Sequence, residues 1–387
     1  VVAKKAKRHM QDMDNQPGIY RDEDVIQAIQ ELLSYQNLLD GMRSFLPEEL
    51  CKLVLDEKSR VKTVLDFQKN IIAPILKWIE KASITRLSAS GLENLNPDER
   101  YLFISNHKDI VLDSAFLNAV LLENGFTTSQ IAIGDNLMKH RISELIFRIN
   151  KSFVVKRSGT PVELYHYSVK LSEYIHRLLQ TKSDSVWIAQ RGGRSKDGND
   201  WTQVALLKML GLSSQSDLKT HFRQLHVVPV AISYEFDPCD LLKTEEHLRK
   251  QADPQYKKSF SEDIEYILLG LKGRKGHVHF HFNKPLQGEL DVFDTVQNNK
   301  KQLELLAGII DKAIHLNYEL HAINYVAHDL LLHTTHYANH YSAEEFEVLT
   351  RLFETKISKF PAAWKEEGRR YLLGVYANPL INMESHV

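Results

Sequence analysis

Apolar residues recur along this chain with two different periods, and the changeover divides it. Up to about residue 82 the spacing is helical. From Asp22 to Leu33 the apolar positions Val25, Ile26, Ile29, Leu32 and Leu33 share one helical face. Pro47 opens a further helix, with Glu48 and Glu49 in the first turn where the positive end of the helix dipole favours them. Val61 through Ile79 again repeats apolar residues at three and four, with a kink expected at Pro74.

From Ser83 the pattern shortens to runs of apolar and β-branched residues. They fall at Ile84–Leu87, Tyr101–Ile104, Ile131–Ile133, Phe153–Val155, Val186–Ala189, Val227–Ile232 and Val278–Phe282. Helical segments lie between several of them, most clearly after Thr160-Pro161-Val162-Glu163, where Thr160 caps, Pro161 opens the helix and Glu163 completes a capping box. From about Gln302 the chain is helical again; Ser342 to Glu345 reads as a second capping box, and Pro361 as a helix boundary. Strands alternating with helices predict an α/β fold: a mixed sheet flanked by helices over residues 83–300, an N-terminal helical bundle over 1–82 and a C-terminal helical region over 301–387.

One stretch carries candidate chemistry. Tyr101–Ile104 reads as a buried strand that stops on Ser105-Asn106-His107, and helical spacing then resumes through Ile110, Ala115, Phe116 and Ala119. A histidine leaving a strand end, with carboxylates at Asp109 and Asp113, is placed to act as a general base; one carboxylate can set its tautomer. Taken alone, this stretch reads better as a plain surface loop with an incidental histidine and two capping aspartates. In open α/β sheets, however, sites gather beyond the strand C-termini, and His107, Arg157 and the Gly192-Gly193-Arg194 turn all fall there.

Composition narrows the choice of partners. Lys+Arg total 49 against Asp+Glu 50, a formal net charge of −1, which argues against nucleic-acid binding driven by bulk charge. Two cysteines, Cys51 and Cys239, far apart in sequence, provide neither a disulfide framework nor zinc spacing, so a reducing compartment is expected. No apolar run approaches the roughly 20 residues that span a bilayer; the longest, Ile110 to Leu122, contains Asp113 and Asn118. The expectation is a soluble or peripheral protein of the cytoplasm, with any anchor outside this sequence. His277, His279 and His281 alternate along a strand, and His333, His336 and His340 have helical spacing; both clusters are read as structural, with no metal expected.

The stretch around His107 resembles the histidine–aspartate motif of the glycerolipid acyltransferases, and three further blocks resemble those of that family, in order. Lys151 to Arg157 is similar to the second block, a strand ending in a basic pair. Arg191 to Gly198 is similar to the third, and Val227 to Glu235, with its central proline, to the fourth. The resemblance implies transfer of an acyl group from acyl-CoA or acyl carrier protein, as co-substrate rather than cofactor, to glycerol-3-phosphate or its 1-acyl form. It assigns His107 as base and Asp113 as its partner, with Lys156, Arg157, Gly193, Arg194 and Ser195 binding substrate. Peripheral contact with the inner face of a membrane, through Lys4–Arg8 or Lys139 to Arg157, is expected for amphiphilic products.

Two departures stand out. The family pattern sets four residues between histidine and aspartate, which falls on Leu112; Asp113 lies one further on, and Asp109 sits where a helix cap would fall. The family's third block also opens on a glutamate, whereas this chain has Gln190-Arg191-Gly192. That loss leaves open a catalytically weak or inactive lipid-binding or scaffolding protein on the same fold, or an acyltransferase for a different acceptor, such as an aminolipid. The absence of a Gly-x-Ser-x-Gly elbow favours direct transfer over an acyl-enzyme.

Overall fold

The structure, a computed structural model, describes residues 18–57 and 60–387. The basic stretch Lys4–Arg8 lies outside the described residues. Short helices open the chain: α1 (Asp22–Leu32), α2 (Gln36–Phe45), α3 (Glu48–Glu57), α4 (Val64–Phe67) and α5 (Ala73–Ser83). On α1 the buried face is Val25, Ala28, Ile29 and Leu32, while Ile26 is 49% exposed, one step off the stripe. The disturbance expected at Pro74 takes the form of a π segment, Gln68–Ile72, directly before α5, whose first turn accepts the proline.

Seven strands follow, each on one of the apolar runs: β1 (Ile84–Ser90), β2 (Leu102–Ser105), β3 (Gln130–Gly134), β4 (Ser152–Val155), β5 (Val186–Ala189), β6 (Val227–Tyr234) and β7 (Gly276–Phe282). Their order in the sheet is β1-β7-β6-β2-β5-β3-β4. Only the β6–β7 pair is antiparallel. Pro229 is tolerated inside β6 because the β7 ladder begins one residue later, at Val230 opposite Phe282.

The interleaved helices are α6 (Leu112–Glu123), α7 (Arg141–Ile149), α8 (Pro161–Gln180), α9 (Val204–Leu210), α10 (Leu218–Gln224), α11 (Asp240–Ala252) and α12 (Phe260–Lys272). Both capping boxes form as the sequence predicts: the Thr160 and Ser342 hydroxyls accept from the Glu163 and Glu345 amides. β2 is buried on both faces, and its side chains divide by alternation. Leu102 and Ile104 join a core under α8, α9 and α10, while Phe103, with Tyr101 just before the strand, joins one under α5 and α6. After β2 the chain passes over β5 to β3, and after β5 it returns to β6 on the other side of β2. That reversal leaves a crevice beyond the C-terminal ends of β2 and β5.

Four helices close the chain: α13 (Asn299–Leu316), α14 (Ala322–Leu332), α15 (Ala343–Ile357) and α16 (Lys365–Glu384). α14 stops at Leu332 and His333 takes a left-handed conformation, so His333, His336 and His340 do not share a helix. The alternating histidines of β7 bond instead to β1: Ser88 Oγ lies 2.7 Å from both His277 and His279, and Ser90 Oγ 2.8 Å from His281. Among the described residues no helix is long and apolar enough to cross a membrane. Within Lys139 to Arg157, Arg141 is held by Glu31 and Glu144, and Arg148 by Glu144 and the Gly18 carbonyl, so neither is free for lipid.

Candidate active site

His107 leaves the end of β2 on a loop tied down from both sides. Asn106 exchanges two 2.8 Å hydrogen bonds with the Ile232 backbone on β6. The His107 carbonyl accepts from the Ser195 amide at 2.7 Å, fastening the third-block loop to it. The imidazole edge meets Trp187 of β5. Its Nδ1 lies 2.8 Å from Asp113 Oδ2, which leaves Nε2 as the basic nitrogen.

Asp113 is fully buried and satisfied on both oxygens. Oδ2 also accepts the Lys108 and Asp109 amides at 2.6 and 3.0 Å; Oδ1 accepts the Tyr234 hydroxyl at 3.0 Å. Asp109 has the other duty: its Oδ1 accepts the Val111 and Leu112 amides at 2.9 and 2.8 Å, capping α6. Burial, and then the neighbouring Asp113 charge, push the Asp109 carboxyl above its ordinary value. The extra residue between histidine and aspartate is thus taken up by a capped turn, and the buried carboxylate that touches the histidine is Asp113.

His107 opens onto a cavity of about 550 Å³. Apolar side chains of α5, α6 and α7 line it, including Leu76, Ala115, Ala119 and Phe147. It follows β3 from Gly134, at the rim, to Thr128, before the strand begins. At roughly 3.3 Å per residue that is a depth of about 20 Å. Cations gather at the rim: Arg157, Arg191, Arg194, Lys196 and Lys258 all line the cavity.

Of the expected substrate-binding residues, Arg157, Gly193 and Arg194 line this space. Arg157 follows β4, with its amide held by Asp135 at 3.1 Å and its guanidinium packed against Gly134. Gly193 supplies the positive φ (84°) that turns the third-block loop. Arg194 lies over the Tyr266 ring at 4.6 Å. Lys156 instead turns back over the Tyr167 ring at 4.8 Å, and Ser195 is buried beneath the loop, so both stand behind the lining. Arg191, with Gly192 one of the two positions where a glutamate is expected, donates to the Asn199 carbonyl at 3.3 Å and lies 3.9 Å from Asp200 Oδ1. Gly198 lets the same loop meet the last helix, since a Cβ there would sit 2.4 Å from the Val375 carbonyl oxygen of α16.

Residues 86–233 match the Acyltransferase family model. The chain is 28% identical over 218 residues to a glycerol-3-phosphate acyltransferase of Pseudomonas syringae pv. tomato, covering 55% of this chain and 25% of that protein. It is likewise 28% identical over 220 residues to one from Ectopseudomonas mendocina, covering 56% and 25%. The aligned part is about a quarter of these curated relatives. The crystal structure of the 1-acyl-sn-glycerophosphate (LPA) acyltransferase PlsC from Thermotoga maritima aligns with 73% of this chain and 91% of that one, at 13% identity and a TM-score of 0.32. Sequence reasoning missed Tyr234, Lys196 and Lys258 as neighbours of this site. Tyr234 lies inside the fourth block, but nothing local marks its hydroxyl as a partner of Asp113. Lys258, in a Lys-Lys pair, reads as solvated surface.

Among the described residues no group of three His, Cys, Asp or Glu side chains is arranged to hold a metal. The arrangement can do base chemistry at His107, between an apolar lumen and a cationic rim.

Proposed function

We propose that this acyltransferase moves a fatty acyl group from an acyl-CoA or acyl-carrier-protein thioester to a hydroxyl of glycerol-3-phosphate or its 1-acyl form. The observation that carries the reading is the position of the His107–Asp113 pair, at the junction of a deep apolar cavity and a group of arginines. The lumen suits the acyl chain, and the rim suits the acceptor phosphate, with Arg157 and Arg194 as its charge-assisted donors.

His107 Nε2 removes the hydroxyl proton as the oxygen attacks the thioester carbonyl. The tetrahedral intermediate collapses, the C–S bond breaks, and the imidazolium returns its proton to the departing thiolate. Asp113 stabilises the imidazolium and holds Nδ1–H toward itself, while Tyr234 and two amides hold Asp113. No covalent enzyme intermediate is needed. The reaction belongs at the cytoplasmic face of a membrane, to which the amphiphilic product partitions, and residues 83–300 are the unit that carries it.

The test is direct: purified protein with radiolabelled acyl-CoA and glycerol-3-phosphate, products separated by thin-layer chromatography. His107→Ala should lower turnover by roughly 10²–10⁴ with an unchanged melting profile. Wild-type turnover in a folded variant would refute the base assignment. Arg191 favours a second reading, a different acceptor, because it brings a cation to a loop that is expected to open on a carboxylate; an aminolipid in the same assay separates the two.

A further inference from the structure

Three lysines from separate stretches converge on one buried carboxylate beside the cavity mouth. Glu246, on α11, is 4% exposed. Lys196 of the third-block loop pairs with it, Lys250 approaches to 2.6 Å and Lys258 to 3.9 Å, and the Tyr266 hydroxyl donates to it at 3.2 Å. Lys258 also pairs with Asp263 at 2.6 Å and stands 4.2 Å over the Tyr266 ring, which Arg194 shares. Four cations thus surround two carboxylates, leaving positive charge uncompensated. Arg194 Nη1 is buried and, among the described residues, has no hydrogen-bond partner. Arg194, Lys196 and Lys258 line the cavity, so the surplus faces the mouth rather than bulk water alone.

The rim offers more cations than one acceptor phosphate takes. Arg157 and Arg194 serve that phosphate, while Lys196, Lys250 and Lys258 gather on the far side of Arg194 around Glu246. With the acyl chain in the lumen and its thioester at His107, the pantetheine arm of the donor leaves through the mouth, and that arm ends in phosphate. We propose that Lys196, Lys250 and Lys258, oriented by Glu246, form an anion subsite for the phosphate end of the donor's pantetheine arm. The inference rests on the acyl-transfer reading. Burial pulls the Lys196 ammonium down to about 8, so it is still charged at neutral pH and gains a partner when a phosphate arrives. Free CoA and a holo carrier protein share this chemistry.

Calorimetric titration of the 387-residue chain with CoA, 4′-phosphopantetheine, pantetheine, holo carrier protein and glycerol-3-phosphate tests it. CoA or the holo carrier should bind, and whichever does names the source. Pantetheine should bind at least about tenfold more weakly than 4′-phosphopantetheine, the loss expected for a charge-assisted contact. The K196Q/K258Q double variant should weaken CoA or carrier by at least about tenfold and glycerol-3-phosphate by less than about twofold. Equal binding of pantetheine and 4′-phosphopantetheine to the wild-type chain would overturn the proposal without recourse to a variant. So would a double variant that weakens glycerol-3-phosphate instead, or a wild-type chain that binds neither donor. Failure of the acceptor reading appears separately, as no binding of glycerol-3-phosphate.

Discussion

Ala119→Phe should shorten the acyl chain this protein accepts. Ala119 lines the cavity on α6, which descends from the His107 rim. At roughly 1.5 Å per residue, it lies about 10 Å below Leu112 at the head of the helix. An extended hydrocarbon built from ~1.5 Å tetrahedral bonds advances roughly 1.25 Å per carbon. A phenyl ring at that depth therefore closes the lumen after about eight carbons, whereas the full depth of about 20 Å accommodates about sixteen. Each methylene withdrawn from water contributes about 0.8 kcal/mol, or about fourfold in kcat/KM. Exclusion of eight methylenes sets a ceiling of about 6 kcal/mol, and partial accommodation lowers the observed effect. The assay is kcat/KM over a donor series from butanoyl- to octadecanoyl-CoA, with thermal melting to check that the ring enters the cavity rather than the core. The ratio of hexadecanoyl to octanoyl donors should fall by at least about 10². A folded variant that keeps the wild-type ratio would refute the cavity as the acyl site.

Asp113→Asn should cut kcat heavily with little loss of melting temperature beyond that of one buried hydrogen bond, because Asn cannot stabilise the imidazolium. Asp109→Asn should be mild in kcat, because Asn caps about as well as Asp; the reverse pattern would transfer the partner role to Asp109. Arg157→Ala should raise KM for the phosphorylated acceptor by roughly tenfold or more and leave KM for the donor within about twofold, and equal effects would remove Arg157 from the acceptor phosphate.

The last prediction concerns pH. Burial pulls His315 down to about 4, and pushes Asp311 up to about 6. As pH falls from about 6.5, the unfolded chain protonates His315 first and stability is lost down to about pH 4; over nearly the same window the folded chain protonates Asp311 first and stability is gained, each by about 3 kcal/mol. The two offset in the wild-type protein. Asp311→Asn should uncover a loss of about 3 kcal/mol between pH 6.5 and 4 in urea unfolding, and parallel curves for variant and wild type would refute the assignment.

What the sequence determined by itself is local. Strands and helices follow from side-chain periods of two and 3.6, so all seven strands and both capping boxes were legible from residues within a few positions of one another. The contact between His107 and Asp113 belongs to the same class, since a loop and the first turn of a helix span it. The tertiary structure decided the rest. Strand order places β5 between β2 and β3, and this alone brings Arg194 and Arg157 to one rim. Tyr234 reaches Asp113 across 121 positions, and Lys258 meets Glu246 from the far side of a loop. The helical spacing of His333, His336 and His340 failed because a left-handed residue ended the helix. The apolar lumen was invisible for a physical reason. A residue lining a cavity and one filling a core carry the same hydrophobic pattern, and only the packing of α5, α6 and α7 against β3 leaves the space between them empty.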